Sequence, residues 1–165
     1  MDIAVRINRS LEPGQYLLEE VFTGLDLCAV LSSIFADTRE TREVIGRTKV
    51  FVADHPGEMF VDNDDGSITI GLGHLRNASD AILYLDIIHE LCHVKQHLQG
   101  RNLYDRNRSY VDRETEVEAY LVTVQEARRI GLTEEAITNY LRVSWITNRA
   151  FSFLAYFTNF MVAPI

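Results

Sequence analysis

No proline and no glycine interrupts the stretch from Ala78 to Gln99, and this run constrains the chain most. Ser79 and Asp80 offer an N-cap at its start, and Gly100 offers a stop at its end. Between them Leu83, Tyr84, Ile87, Leu91, Val94 and Leu98 fall within roughly 100° of helical arc, a single apolar stripe. His89 and His93 lie nearly opposite that stripe. The pattern predicts a long helix that packs one face into a core and turns its two histidines toward a cleft.

Around this helix the sequence predicts short elements. Asp2 to Ile7 alternates as a strand, and Ser10-Leu-Glu-Pro-Gly marks a turn. Leu17, Leu18, Val21, Phe22, Leu25, Cys28, Ala29 and Leu31 suggest a helix from about residue 15 to about 35. The charged residues 37 to 47 extend it or form a second short helix. Strands follow at Lys49–Val52, Met59–Val61 and Ser67–Leu72, the last two flanking an Asn63-Asp-Asp-Gly66 turn. They read as a small sheet, antiparallel around that turn. A polar connection, 101 to 112, leads to a helix of about 113 to 130, closed by Gly131, and Thr133 opens the last helical region. Elements segregated in this way make an α+β fold. With 165 residues, one domain covering 1–165 is expected.

His89-Glu90-Leu91-Cys92-His93 places two histidines four residues apart on that helix. At about 100° per residue they are offset by only about 40°, one turn above the other, so both imidazoles can grip one ion. Glu90 falls at the edge of the same face, close enough to hold water without ligating. A catalytic zinc takes a third protein ligand and keeps a position open. The next helix supplies Glu114, Glu116 and Glu118. Glu116 borders a stripe of Val117, Tyr120, Leu121, Val124 and Ala127, while the other two acids point toward solvent. Glu116 is therefore the expected ligand, with Glu118 the competing acid.

Neighbouring residues receive lesser roles. His97 is one turn too far to share the ion and suits the rim or a supporting position. Asp86 suits either orientation of a ligand histidine or plain surface exposure. Cys92 reads as a small packed side chain. Tyr110, Tyr120, His74 and His97 are all candidate donors to an oxyanion, and Lys95 and Gln96 mark an exposed part of the helix.

His89-Glu-Leu-Cys-His93-Val-Lys-Gln-His97 resembles the H-E-L-G-H-x-x-x-H form of the ImmA/IrrE family, and Glu116-Val117-Glu118-Ala119 resembles the Glu-x-x-Ala of gluzincin metallopeptidases. In size the chain is similar to the minigluzincins. The likeness covers about residues 67 to 127. Cys92 stands where a glycine is common, and Tyr120 follows Ala119 where an asparagine or aspartate is frequent. The resemblance implies a zincin-like fold, Zn2+ bound by His89, His93 and Glu116, and Glu90 as general base in peptide hydrolysis. It also implies that the last strand, Ser67 to Leu72, edges the cleft and pairs with an extended substrate. A latent protein, or a non-catalytic zinc-binding interaction domain, is the alternative.

The net charge of −8 disfavours phosphate backbones, so nucleic acid is not expected, while a peptide or protein substrate is what the resemblance implies. The two cysteines, Cys28 and Cys92, are too few for a disulfide framework, and the opening residues lack a secretory pattern, which points to the cytoplasm. Phe151 to Val162 is strongly apolar but short of the roughly 20 residues that span a bilayer. It reads as buried helix or as the interface of a homodimer, and no membrane insertion is expected.

Overall fold

The computed structural model describes residues 3–142. The expectations for the apolar segment after Trp145 lie outside those residues.

The fold is α+β, with small sheets packed on helices. In chain order the elements are β1 (Arg6–Ile7), β2 (Gly14–Leu17), α1 (Leu18–Val21), β3 (Phe22–Thr23), a 3-10 turn at Leu25–Leu27, α2 (Leu31–Ile34) and α3 (Thr38–Arg47). Then follow β4 (Lys49–Ala53), β5 (Met59–Val61), β6 (Ile68–Gly71), α4 (Leu72–Asn77), α5 (Asp80–Leu98), a 3-10 turn at Tyr110–Asp112, α6 (Glu114–Arg129) and α7 (Glu134–Leu141).

The single helix expected over 15–35 is instead β2, α1, β3, a 3-10 turn and α2. Gly14 to Leu17 pairs antiparallel with β4, and the chain turns at Gly24, whose φ of 94° favours glycine. Of the apolar stripe, Leu18, Val21, Phe22, Leu25 and Leu31 are core, while Leu17 and Ala29 are exposed and Cys28 is half-buried. A run of short elements can bury the same side chains as one helix, so periodicity alone did not separate them. The charged stretch forms α3 as a separate helix, capped by Asp37, which accepts from the Glu40 amide at 2.8 Å.

The main sheet has the order β2-β4-β6-β5. Its β5–β6 pair is antiparallel, as the Asp-Gly turn predicts, with Gly66 at φ 74°. Its β4–β6 pair is parallel, so the sheet is mixed. This placement corrects one expectation. The strand at Ser67–Leu72 is flanked on both sides and cannot edge a cleft; the edge strands are β2 and, next to β6, β5. Asp62 donates to the Ser67 carbonyl and Gly71 to the Glu58 carbonyl, so residues 58, 60 and 62 turn their backbone groups toward β6. Strand alternation then turns those of Met59 and Val61 outward.

Helix α5 is buried on more than one face. Leu85 and Ile88 are fully buried along with Leu83, Tyr84, Ile87, Leu91 and Val94, while Leu98 is exposed. Its cap is the expected one, with Ser79 accepting from the Ile82 amide at 3.3 Å. Gly100, at φ 73°, ends it. The sheet lies on one side of this central helix, and α6 covers another. No helix among the described residues is long and apolar enough to cross a membrane.

Candidate metal centre

The site forms where α5 and α6 run antiparallel. His89 and His93 stand one turn apart on α5, and Glu116 faces them from the first turns of α6. The buried face of α6 carries Thr115, Glu116, Ala119, Tyr120, Thr123, Val124, Glu126 and Ala127. Glu116 is therefore inside that face rather than at its border, and Val117 and Leu121 are only half-buried. Each of the three site residues is about 95% buried: His89 and His93 are 6% exposed and Glu116 4%.

The Nε2 atoms of His89 and His93 lie 3.0 Å apart, and each is 3.4 Å from Glu116 Oε2. Donor atoms held about 2.0–2.1 Å from one tetrahedral ion stand about 3.3 Å from one another. The triangle thus has the size that a four-coordinate ion requires, and these three residues can hold a metal ion. Apart from the two imidazoles at 3.4 Å, Glu116 Oε2 has no polar partner among the described residues despite its burial, which is what a ligand atom would leave. Among the other acids of that helix, Glu118 is engaged by Arg101 at 2.5 Å and Glu114 by Arg108 at 3.2 Å.

His93 is held in place by Gln96. His93 Nδ1 donates to Gln96 Oε1 at 2.8 Å, and Gln96 Nε2 donates to the Thr115 carbonyl and to Glu118 Oε2, both at 3.0 Å. This fixes the imidazole with Nε2 toward the triangle. Gln96 is 3% exposed, contrary to the solvent position expected for it. Its i+3 spacing from His93 was the available signal. The Tyr120 ring lies against His89 with centroids 4.5 Å apart, and Tyr110 Oη is 3.1 Å from Tyr120 Oη.

Burial dominates the electrostatics. It lowers the His89 pKa, and the neighbouring His93 lowers it further, against the pull of Glu116. Burial would lower His93 too, but Glu116, Glu90 and the Gln96 contact outweigh it and raise His93 to about 9. Glu116 is held well below the usual carboxylate range, because the two histidines overcome its own desolvation. Glu90 is pushed up to about 8 by burial, helped by Glu116 and Asp86 and opposed by His93 and the Val61 backbone. Glu90 Oε2 is buried and has no partner among the described residues.

Two cavities meet at His89 and Glu90. One, of about 580 Å³, reaches all three triangle residues and has a largely apolar wall that includes Pro56, Met59, Phe60, Leu103 and Tyr104. The other, of about 360 Å³, is more polar and includes Glu58, His74, Asp86 and Tyr140. Edge strand β5 borders both, through Met59.

The remaining expectations divide. Asp86 neither orients a ligand histidine nor sits free on the surface. It accepts from His74 Nε2 at 2.7 Å and from Tyr140 Oη at 3.0 Å, because α4 and α7 bring those groups to it. His97 belongs to neither the rim nor the support of the triangle. It packs against Gly66 and lines a separate cavity with Val44 and Lys49. Tyr110, Tyr120 and His74 do line the polar cavity. Cys92 is buried, and its thiol is pushed up to about 12 by burial first and then by Glu90, so it is a neutral packing group.

No protein-family model, no curated protein and no solved structure matches the chain. The likeness to gluzincins therefore rests on the motif residues alone.

Proposed function

We propose that the chain is a zinc-dependent peptidase in which His89, His93 and Glu116 hold the metal and Glu90 is the general base. One observation carries this reading: three buried donor atoms at mutual distances of 3.0 to 3.4 Å stand beside a buried, unpartnered carboxylate oxygen. Two imidazoles and one carboxylate with a fourth position open are the donor set of a catalytic zinc. An ion held there would polarise a substrate carbonyl and acidify water.

The chain's own residues supply the rest. Glu90, raised to about 8 in the metal-free site, sits where both cavities meet. It would take a proton from the attacking water and return it to the leaving amine. The outward backbone groups of Met59 would hold an extended peptide by strand addition. Tyr110, Tyr120 and His74 border the place where an oxyanion would develop, whereas His97 does not. Free Cys28 and buried Cys92 fit a reducing compartment such as the cytoplasm.

Metal analysis of purified protein, followed by cleavage assays on a peptide library, tests the reading. One zinc per chain and peptide cleavage are expected. Glu90→Gln should keep the metal and lower kcat by about 10²–10⁴-fold. Retained cleavage in that variant would remove Glu90 as the base. Stoichiometric zinc with no cleavage of any peptide would leave a metal-stabilised binding module.

A further inference from the structure

The larger cavity is apolar along most of its wall, yet a guanidinium stands at its α6 end. Arg113, the residue before α6, lines this cavity together with His93 and Glu116. Its Nε donates to the Asp105 carbonyl at 3.2 Å, and its guanidinium carbon lies 5.8 Å from the centre of the Tyr110 ring. Among the described residues no carboxylate pairs with it, and its hydrogen bond runs through Nε alone. The other cations nearby are committed: Arg101 to Glu118 and Arg108 to Glu114.

A guanidinium tied down at Nε and steadied by an aromatic ring presents its two terminal nitrogens as a fork, and that fork matches a carboxylate. In a chain of net charge −8, such a group beside the metal triangle is set against the overall field. Arg113 precedes Glu116 by three residues, a rise of about 4.5 Å along a helix, which an extended peptide covers in about one to two residues.

We propose that Arg113 determines specificity by binding a substrate carboxylate about one to two residues from the bond to be cleaved. The carboxylate is either the peptide's own C-terminus or an acidic side chain, while the apolar wall takes the side chain beside it. The proposal rests on the peptidase reading for the place of the bond, but the binding of the carboxylate needs no turnover.

The test uses zinc-loaded Glu90→Gln protein and fluorescently labelled hexapeptides with a central aromatic residue. Four peptides are compared by anisotropy: free acid or C-terminal amide, each with glutamate or glutamine after the aromatic residue. A charge-assisted fork predicts that the preferred carboxylate tightens binding by about tenfold or more. Preference for the free acid assigns the C-terminus; preference for glutamate in the amide pair assigns the side chain. Arg113→Met should abolish the preference and Arg113→Lys should keep part of it. Equal binding of all four peptides, or a preference that survives Arg113→Met, overturns the proposal. Zinc content and cleavage by the unmutated chain judge the peptidase reading separately.

Discussion

Helices α5 and α6 are joined by two buried polar contacts, one toward each end of their shared interface, and the two are built differently. At the far end Tyr84 Oη donates to Glu126 Oε1 at 2.5 Å, and Arg129 closes on both oxygens of that carboxylate at 2.6 Å. Glu126 is 2% exposed with both oxygens engaged. At the near end His89, His93, Glu90 and Glu116 are buried to a similar degree. Yet His89 Nδ1, Glu90 Oε2 and Glu116 Oε2 have no hydrogen-bond partner among the described residues. A polar contact that serves only the fold closes on itself, because an unmet buried group costs about 1–3 kcal/mol. Of these atoms Glu116 Oε2 belongs to the triangle and Glu90 Oε2 stands beside it, which suits a site whose partner is a ligand.

If this contrast is right, matched substitutions should separate the two ends. Glu116→Gln should weaken zinc binding by more than about 100-fold, beyond the 10–100-fold typical of residues that only support a ligand. Competition against a fluorescent chelator measures this, and near-normal affinity would mean the triangle is not the site. A shift in pH should act next most strongly, and only at the near end. His93 is raised to about 9 in the metal-free protein, so below that pH it carries a proton that zinc must displace. Affinity should therefore fall as pH falls, by about 100-fold between pH 9 and pH 7, one decade per unit for one proton. A flat profile across that interval would show that no such proton is held. Glu126→Gln should do the reverse of Glu116→Gln. Zinc stoichiometry should stay at one, while stability drops by about 2 kcal/mol, as expected for a buried hydroxyl and a guanidinium that lose a charged partner. For a chain of this length that is roughly 4–8 °C in Tm. Loss of metal in Glu126→Gln would join the two ends into one unit.

The same contrast explains what could be read from the sequence. His89, His93 and Glu116 were legible because two histidines four apart share one face of a helix and the apolar stripe of the next helix favours one of its acids. The long helix was legible because Ser79 and Gly100 bracket an uninterrupted run. The fold between residues 14 and 35 was not, since α1, α2 and their flanking strands bury many of the same side chains that one helix would. Which strand forms the sheet edge depends on a parallel β4–β6 pairing, a non-local choice that no local pattern records. Asp86 and His97 were misplaced because a helical wheel gives direction but not what the neighbouring elements bring. His74 and Tyr140 arrive at Asp86 from α4 and α7, and the β5–β6 turn meets His97 at Gly66.

Gln96 sharpens the comparison from within the near end, because there one histidine nitrogen is satisfied and the other is not. His93 Nδ1 donates to Gln96, whose amide is in turn anchored on the Thr115 carbonyl, one residue before Glu116. His89 Nδ1 has no equivalent among the described residues. The anchor thus ties the orientation of one candidate ligand to the backbone that carries another. Gln96→Leu removes the acceptor while keeping an apolar side chain of similar size, and zinc affinity should fall by about tenfold. Gln96→Glu restores an acceptor, and a carboxylate there makes the imidazole a stronger donor to the metal, so affinity should recover to or above its original value. A purely structural role predicts a different pattern: both variants lower Tm alike, and neither changes zinc affinity measured on the folded protein. That outcome would reduce Gln96 to a packing residue and leave His93 oriented by Glu116 alone.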